Sequence, residues 1–195
     1  MASEPSRIGI VILAAGGSER LGSPKQLLFY KGSSLIRSIT KEALNSRANK
    51  VAVVLGAEYE TIEAEIARQH VVIVRNRDWE KGIGSSIRAG VGAIQEGMDG
   101  ILIALSDQPL VATPHLNFLI ERYKESPGDI IASQYSDSLG VPALFPRKYF
   151  PELLALPDDS GAKSVILGHQ SSVTPVPLPE GSIDIDELSD LKKLK

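Results

Sequence analysis

The chain of 195 residues contains no cysteine, which excludes disulfides, thiolate metal centres and cysteine nucleophiles together. Its three histidines, His70, His115 and His169, are scattered without metal-ligand spacing and read as surface or capping residues. Ser18, Ser85 and Ser86 have no His/Asp companions in the pattern of an activated serine. No apolar run reaches the length of a membrane span, and residues 1–7 lack the hydrophobic segment of a signal peptide. An excess of positive charge is missing too. The formal net charge is −3, so a nucleic-acid partner has no electrostatic support from the whole chain. There is no internal repeat and no low-complexity segment. With 43% apolar and 23% charged residues, the expectation is one cytoplasmic domain over residues 1–195, large enough for a sizeable core.

What is present is a regular alternation of apolar runs and helix-period segments. Ile8 to Leu13, Val51 to Leu55, Val71 to Val74 and Ile101 to Leu105 read as buried strands. Between them, helices are expected from about Leu35 to Leu44, with Ser33 or Ser34 as N-cap, and over 58–68 and 84–96. A further helix over 113–125 takes Thr113 as N-cap and Pro114 in its first turn. Strands follow at Ile130 to Tyr135 and, after a turn at Ser138 to Gly140, at Val141 to Phe145. Short helices are expected over 147–155 and 160–168, and a proline-flanked edge strand at Val173 to Pro177. A last strand near 183–185 leads into a helix carrying Leu188, Leu191 and Leu194. This order implies an α/β fold, a mostly parallel sheet with helices on both faces. Ligands of such sheets bind at the carboxyl ends of the strands.

Two stretches sit at such ends. After Leu13 come Ala14, Ala15, Gly16, Gly17 and Ser18, then Arg20, Gly22 and Lys25. Small residues let backbone N–H groups approach an anion, and two cations within six residues suit a polyphosphate. The spacing fits neither G-x-G-x-x-G nor a Walker loop. After the fourth strand comes Asp107, in Ser106-Asp107-Gln108-Pro109. An aspartate held at a strand end is suited to Mg²⁺, although an isolated one is more often a turn residue. A third stretch, Gly82, Gly84, Ser85 and Ser86, opens a helix whose N–H groups suit an anion or a base edge; an ordinary capped helix explains it nearly as well. Asp184 and Asp186, near the end, offer a second metal ligand or a helix cap, with Asp186 preferred as ligand. Asp158 to Lys163 reads as a turn opening a helix, with Lys163 available to an anionic acceptor.

These residues resemble a known family. Leu13 to Leu28, L-A-A-G-G-S-E-R-L-G-S-P-K-Q-L-L, is similar to the L-A-A-G-x-S-x-R-M-G-x-x-K-x-L-L signature of nucleotidyltransferases with glycosyltransferase A-like folds. Within that group the chain looks most like the molybdenum cofactor cytidylyltransferases. Gly82 to Gly90 resembles their G-M-x-x-S-L-x-x-G. Asp107-Gln108-Pro109 matches their D-Q-P, and Gly140 to Phe145 their G-x-P-x-L-F. Asp159 to Ala162 approximates G-D-x-G-A, and Asp184 to Leu191 approximates D-I-D-T-P-E-D-L. Departures are Leu21 for Met, Ser106 where Cys often precedes D-Q-P, and Glu187-Leu188 for Thr-Pro.

The resemblance implies a three-layer α/β/α, Rossmann-like fold of the nucleotide-diphospho-sugar transferase type. It implies transfer of CMP from CTP to the phosphate of molybdopterin cofactor, with release of pyrophosphate. Arg20, Lys25 and Asp107 would be catalytic. Leu13, Ala14, Ala15, Gly16, Gly17, Ser18, Arg20, Lys25, Gly82, Gly84, Ser85 and Ser86 would hold the nucleotide. Asp107 and Asp186 would bind Mg²⁺, and residues 140–163 would shape the acceptor pocket. A molybdoenzyme is a possible partner. Competing readings are a nucleotidyltransferase with another acceptor, such as a sugar or alcohol phosphate, or another nucleoside triphosphate, and a non-catalytic pterin carrier.

Overall fold

The structure, a computed structural model, describes residues 5–17, 24–135 and 138–178. In chain order it contains β1 (Ile8–Ala14), β2 (Phe29–Tyr30), β3 (Ser33–Ser34), α1 (Leu35–Leu44), β4 (Lys50–Leu55), α2 (Tyr59–Ile66), β5 (Val72–Arg75) and α3 (Ile83–Ile94). There follow β6 (Gly100–Leu105), α4 (Thr113–Glu125), β7 (Ile130–Tyr135), β8 (Ser138–Pro146), α5 (Phe150–Leu154), α6 (Ala162–Gly168) and β9 (Val173–Pro177). The strand and helix expected after residue 182 lie outside the described residues.

Seven strands form one sheet in the order β5-β4-β1-β6-β8-β7-β9, and β2 and β3 form a small separate hairpin. β5, β4, β1 and β6 pair in parallel. β8 is antiparallel to both β6 and β7, and β9 is parallel to β7. Only β8 therefore runs against the other six, as the mostly parallel expectation required.

Successive side chains of β1 enter opposite layers, as the two-residue period of a strand dictates. Ile8, Ile10 and Ile12 meet Ile36 and Ile39 of α1, Ile62 and Ile66 of α2, and Leu116 and Leu119 of α4. Val11 and Leu13 meet Ile87 and Val91 of α3, Leu153 of α5 and Val165 of α6. Both faces of the sheet are thus buried, which explains why its central strands are apolar at nearly every position. The crossovers put α1 and α2 on one face while the chain moves from β1 to β4 and β5. The return to β6, on the other side of β1, carries α3 over the opposite face. The reversal of direction occurs between β1 and β6, and a crevice opens at their carboxyl ends.

Local details differ from the sequence reading. The expected turn at Ser138 to Gly140 is strand, because Tyr135 pairs with Ser138 and Gln134 with Leu139. Gly140 fits there because the Tyr135 hydroxyl occupies the space of a side chain: a Cβ would lie 1.9 Å from it. Thr113 does not cap α4. Ala112 holds the cap position, and the Thr113 hydroxyl and N–H instead engage Glu42 of α1. Ser34 holds the cap position of α1, but its hydroxyl donates to Glu65 at 2.7 Å. His115 is no surface residue either: it is half-buried, with Nε2 2.8 Å from the buried Ser133 hydroxyl.

Candidate functional site

The crevice between β1 and β6 leads into a cavity of about 550 Å³. One side is the end of β1 with Leu13, Ala14, Ala15 and Gly16, and the facing side is Leu105, Ser106 and Asp107. Lys25 and Gln26 stand across the opening, and Trp79, Glu80, Gly82, Ile83 and Ser86 complete the wall. The two ends are locked together, since the Ser106 N–H donates to the Leu13 carbonyl at 3.1 Å.

Lys25 begins a short 3₁₀ turn, Lys25–Leu27, after Pro24. Its ammonium pairs with Oδ2 of Asp107, bringing together residues separated by 82 positions. The other carboxylate oxygen, Oδ1, is buried and has no hydrogen-bond partner among the described residues. A buried carboxylate oxygen left bare is costly, and it suits a cation that binds through oxygen. Asp107 is the one described member of the expected metal pair. Asp184 and Asp186 lie outside the described residues, as do Ser18 and Arg20. Among the described residues no group of three or more His, Asp or Glu is arranged to hold a metal.

Gln26 explains how a glycine-rich loop keeps its shape. It is buried, and its amide donates to the Ala14 carbonyl at 3.0 Å and to the Gly16 carbonyl at 2.9 Å. One side chain thus engages two carbonyls at the end of β1 and just beyond it. Gly17 packs against Trp79 instead of lining the cavity, since a Cβ there would come 3.2 Å from the indole ring. Gly56 is closer still: a Cβ would sit 2.5 Å from Trp79 Cβ and 2.7 Å from the Ala15 carbonyl.

The start of α3 is not a free anion site. The Gly84 N–H donates to the Asp158 carbonyl at 2.9 Å. A Cβ on Gly84 would lie 1.9 Å from the Pro157 carbonyl oxygen. Gly82 adopts φ of +130°, a conformation suited to glycine. Ser85 is buried, and its hydroxyl donates within its own turn, to the carbonyls of Gly82 at 2.7 Å and Asp78 at 3.0 Å. Of the four residues named in this stretch, only Gly82 and Ser86 reach the cavity; Gly84 and Ser85 build the turn that presents them. Arg88, one turn on, holds the Asp158 carboxylate and the Leu156 carbonyl and ties α3 to that loop. Lys81 is fixed to Asp78 at 3.0 Å, and this hydrogen bond holds its ammonium above the usual lysine range.

A second cavity, of about 310 Å³, adjoins the first through Leu13, Ile83 and Leu105. Tyr135, Gly140, Val141 and the 161–163 segment form its outer wall. Lys163 there donates to the Ser138 hydroxyl at 2.8 Å. Behind it, the Val141 carbonyl accepts from Gln108 and from the Tyr135 hydroxyl.

Residues 10–173 match the family described as the MobA-like NTP transferase domain. The chain belongs to that family. Over 192 residues it is 33% identical to the purine catabolism protein PucB of Bacillus subtilis, covering 94% of this chain and 92% of PucB. Over 138 residues it is 37% identical to nicotine blue oxidoreductase of Paenarthrobacter nicotinovorans, covering 70% and 66%. Among solved structures it superposes on Rv0371c from Mycobacterium tuberculosis with a TM-score of 0.85, 29% identity and 97% of each chain covered. Another structure of Rv0371c, in complex with manganese, gives a TM-score of 0.81 and 26% identity over 97% of this chain and 98% of that one.

This MobA-like protein is therefore a nucleotidyltransferase of the three-layer α/β type, and the resemblance drawn from its motifs holds at the level of the family. Among the described residues, no helix is long and apolar enough to cross a membrane. The sequence reading missed Gln26 and Trp79 as lining of this cavity. Gln26 follows Lys25 directly, but a glutamine in a loop gives no sign that it turns inward. Trp79 was visible as the single tryptophan; its place beside Gly17 and Gly56 depends on tertiary contacts.

Proposed function

We propose that this MobA-like chain transfers CMP from CTP to the phosphate of a molybdopterin-type acceptor and releases pyrophosphate. The observation that carries the reading is the Lys25–Asp107 pair at the crevice, with Asp107 Oδ1 left without a partner. An acceptor phosphate is already anionic, so in-line attack on the α-phosphorus needs no enzyme nucleophile. The work of the site is positioning and charge neutralisation. Lys25 holds the triphosphate and balances the charge that develops on the departing pyrophosphate, with Arg20 assigned the same duty. Leu13 to Gly16, kept in shape by Gln26, lie along the nucleotide. Gly82 and Ser86 face its base or ribose. Asp107, joined by Asp186, would hold Mg²⁺, which when bound supplies further positive charge to the phosphates. The adjoining cavity, walled by Gly140, Val141 and residues 161–163, supports an acceptor site there.

The test is pyrophosphate release from CTP, GTP, UTP and ATP, each with Mg²⁺ or Mn²⁺, with and without a molybdopterin acceptor. CTP with molybdopterin is expected to be the productive pair. Stimulation by a sugar phosphate but not by molybdopterin would overturn the acceptor, and preference for GTP would overturn the base. Because one relative carries the name nicotine blue oxidoreductase, the absorbance of added nicotine blue is followed in parallel; its redox turnover without nucleotide transfer would overturn the reading as a whole.

A further inference from the structure

Asn76 lies one residue beyond β5 and is buried. Its N–H continues the ladder by donating to the Leu55 carbonyl at 2.8 Å. Its carboxamide is fully engaged. Oδ1 accepts the Asp78 N–H at 3.0 Å. Nδ2 donates to Ser85 Oγ at 2.8 Å and to Ser86 Oγ at 3.0 Å. One side chain thereby joins the end of β5, the turn carrying Trp79 and Gly82, and the start of α3.

The direction of these bonds matters. Asp78 supplies a proton to Oδ1, so the other end of the amide must be the NH₂ group. Both serine hydroxyls consequently act as acceptors toward Asn76. Ser85 spends its own proton on the carbonyls of Gly82 and Asp78. Ser86 shows no such outlet among the described residues, and it is one of the residues that line the cavity. Asn76 thus leaves Ser86 with a proton to offer the cavity. The charged Lys25 and Asp107 mark the phosphate end. Trp79, Gly82, Ile83 and Ser86 form a wall without cations, with Glu80 its one charged member, and so suit the nucleoside end better than the phosphates.

We infer that Asn76 is a positioning residue, which orients the Ser86 hydroxyl as a hydrogen-bond donor to an acceptor oxygen on the nucleoside half of the substrate. The inference rests on the nucleotidyltransferase site proposed above and adds to it a residue that touches no substrate. Asp in place of Asn76 is nearly isosteric but has only acceptors to offer. The Ser86 proton then turns back toward residue 76, and the cavity loses its donor.

The test is equilibrium titration with CTP and Mg²⁺, read from the fluorescence of Trp79, the sole tryptophan. Asn76→Asp, Asn76→Ala, Ser86→Ala and the doubles with Ser86→Ala are compared, each checked for its unfolding midpoint. Ser86→Ala and Asn76→Asp are each expected to raise the CTP Kd by about 3- to 10-fold, the worth of one neutral hydrogen bond. The rise should appear in KM more than in kcat. In the Ser86→Ala background, Asn76→Asp should add no further loss. Binding of inorganic tripolyphosphate, which has no nucleoside, should be unchanged in all variants. Equal losses for CTP and tripolyphosphate, or additive effects in the double variant, would overturn the inference and leave the nucleotide site standing. Ser86→Ala with wild-type affinity would do so as well, even if the Asn76 variants fail to fold. If the wild-type protein binds none of the four nucleoside triphosphates, the site reading and this inference fall together.

Discussion

The Lys25 ammonium and the Asp107 carboxylate meet across the crevice, one from the loop after β1 and the other from the end of β6. The pair unites the cation and the acid that the proposed reaction needs, and only one oxygen of Asp107 is engaged. Lys25→Ala and Asp107→Asn are each expected to lower pyrophosphate release by about 10²-fold or more, the usual cost of losing a charge that acts on the transition state. Both should retain the wild-type circular dichroism spectrum. Mn²⁺ binding with CTP, followed by electron paramagnetic resonance, should be lost in Asp107→Asn. Near wild-type turnover in either variant would sink the mechanism.

Gln26 holds two carbonyls of the loop from inside the protein. Gln26→Met keeps the volume and removes the donors, leaving the Ala14 and Gly16 carbonyls without them. A loss of about 1–3 kcal/mol in unfolding free energy is expected for each carbonyl that water cannot reach. Urea denaturation measures the loss. Nucleotide affinity should fall in parallel, because the same loop lies along the substrate. Unaltered stability would show that the loop is held by other bonds.

Gly90 faces the sheet from the middle of α3. A Cβ there would come 2.4 Å from Val11 Cγ1 and 2.8 Å from Val54 Cγ2. Alanine favours helix over glycine by about 1 kcal/mol, but overpacking a filled core costs about 1–3 kcal/mol. The packing effect should win, so Gly90→Ala is expected to be less stable than wild type. Val11→Ala in the same chain should recover part of the loss. A stabilised Gly90→Ala would mean that α3 moves outward easily.

Tyr123 is buried, and its hydroxyl donates to the Asp99 carbonyl at 2.9 Å. Burial, and after it the Asp99 charge, raises its pKa above the ordinary phenol value. The folded state therefore prefers the neutral phenol. Its contribution to stability is complete below about pH 10, the unfolded value, and is lost as pH rises through the folded value. Unfolding midpoints measured from pH 8 to 11 should fall more steeply for wild type than for Tyr123→Phe. Parallel curves would remove Tyr123 as the cause.

By itself the sequence determined the layered α/β plan, because strands buried on both faces and helices with one apolar stripe leave few alternatives. Ile8 to Leu13 is nearly continuous in apolar residues for that reason, and α4 over 113–125 appears where its period places it. That Lys25 and Asp107 would face one crevice was legible because strand ends in such sheets converge there. Tertiary structure alone decided which polar groups face that crevice and which serve the frame. Ser85 and Ser86 are neighbours with the same side chain, yet one closes its own turn and the other lines the cavity. The difference comes from the Asp78 and Gly82 carbonyls, which accept from the Ser85 hydroxyl, whereas Asn76 donates to both serines. Gly84 likewise looks like an anion-binding glycine until the Asp158 carbonyl occupies its N–H. Periodicity records burial, which is a property of a whole face. The direction of a hydrogen bond depends on one partner brought from a distant segment, and local pattern carries no record of it.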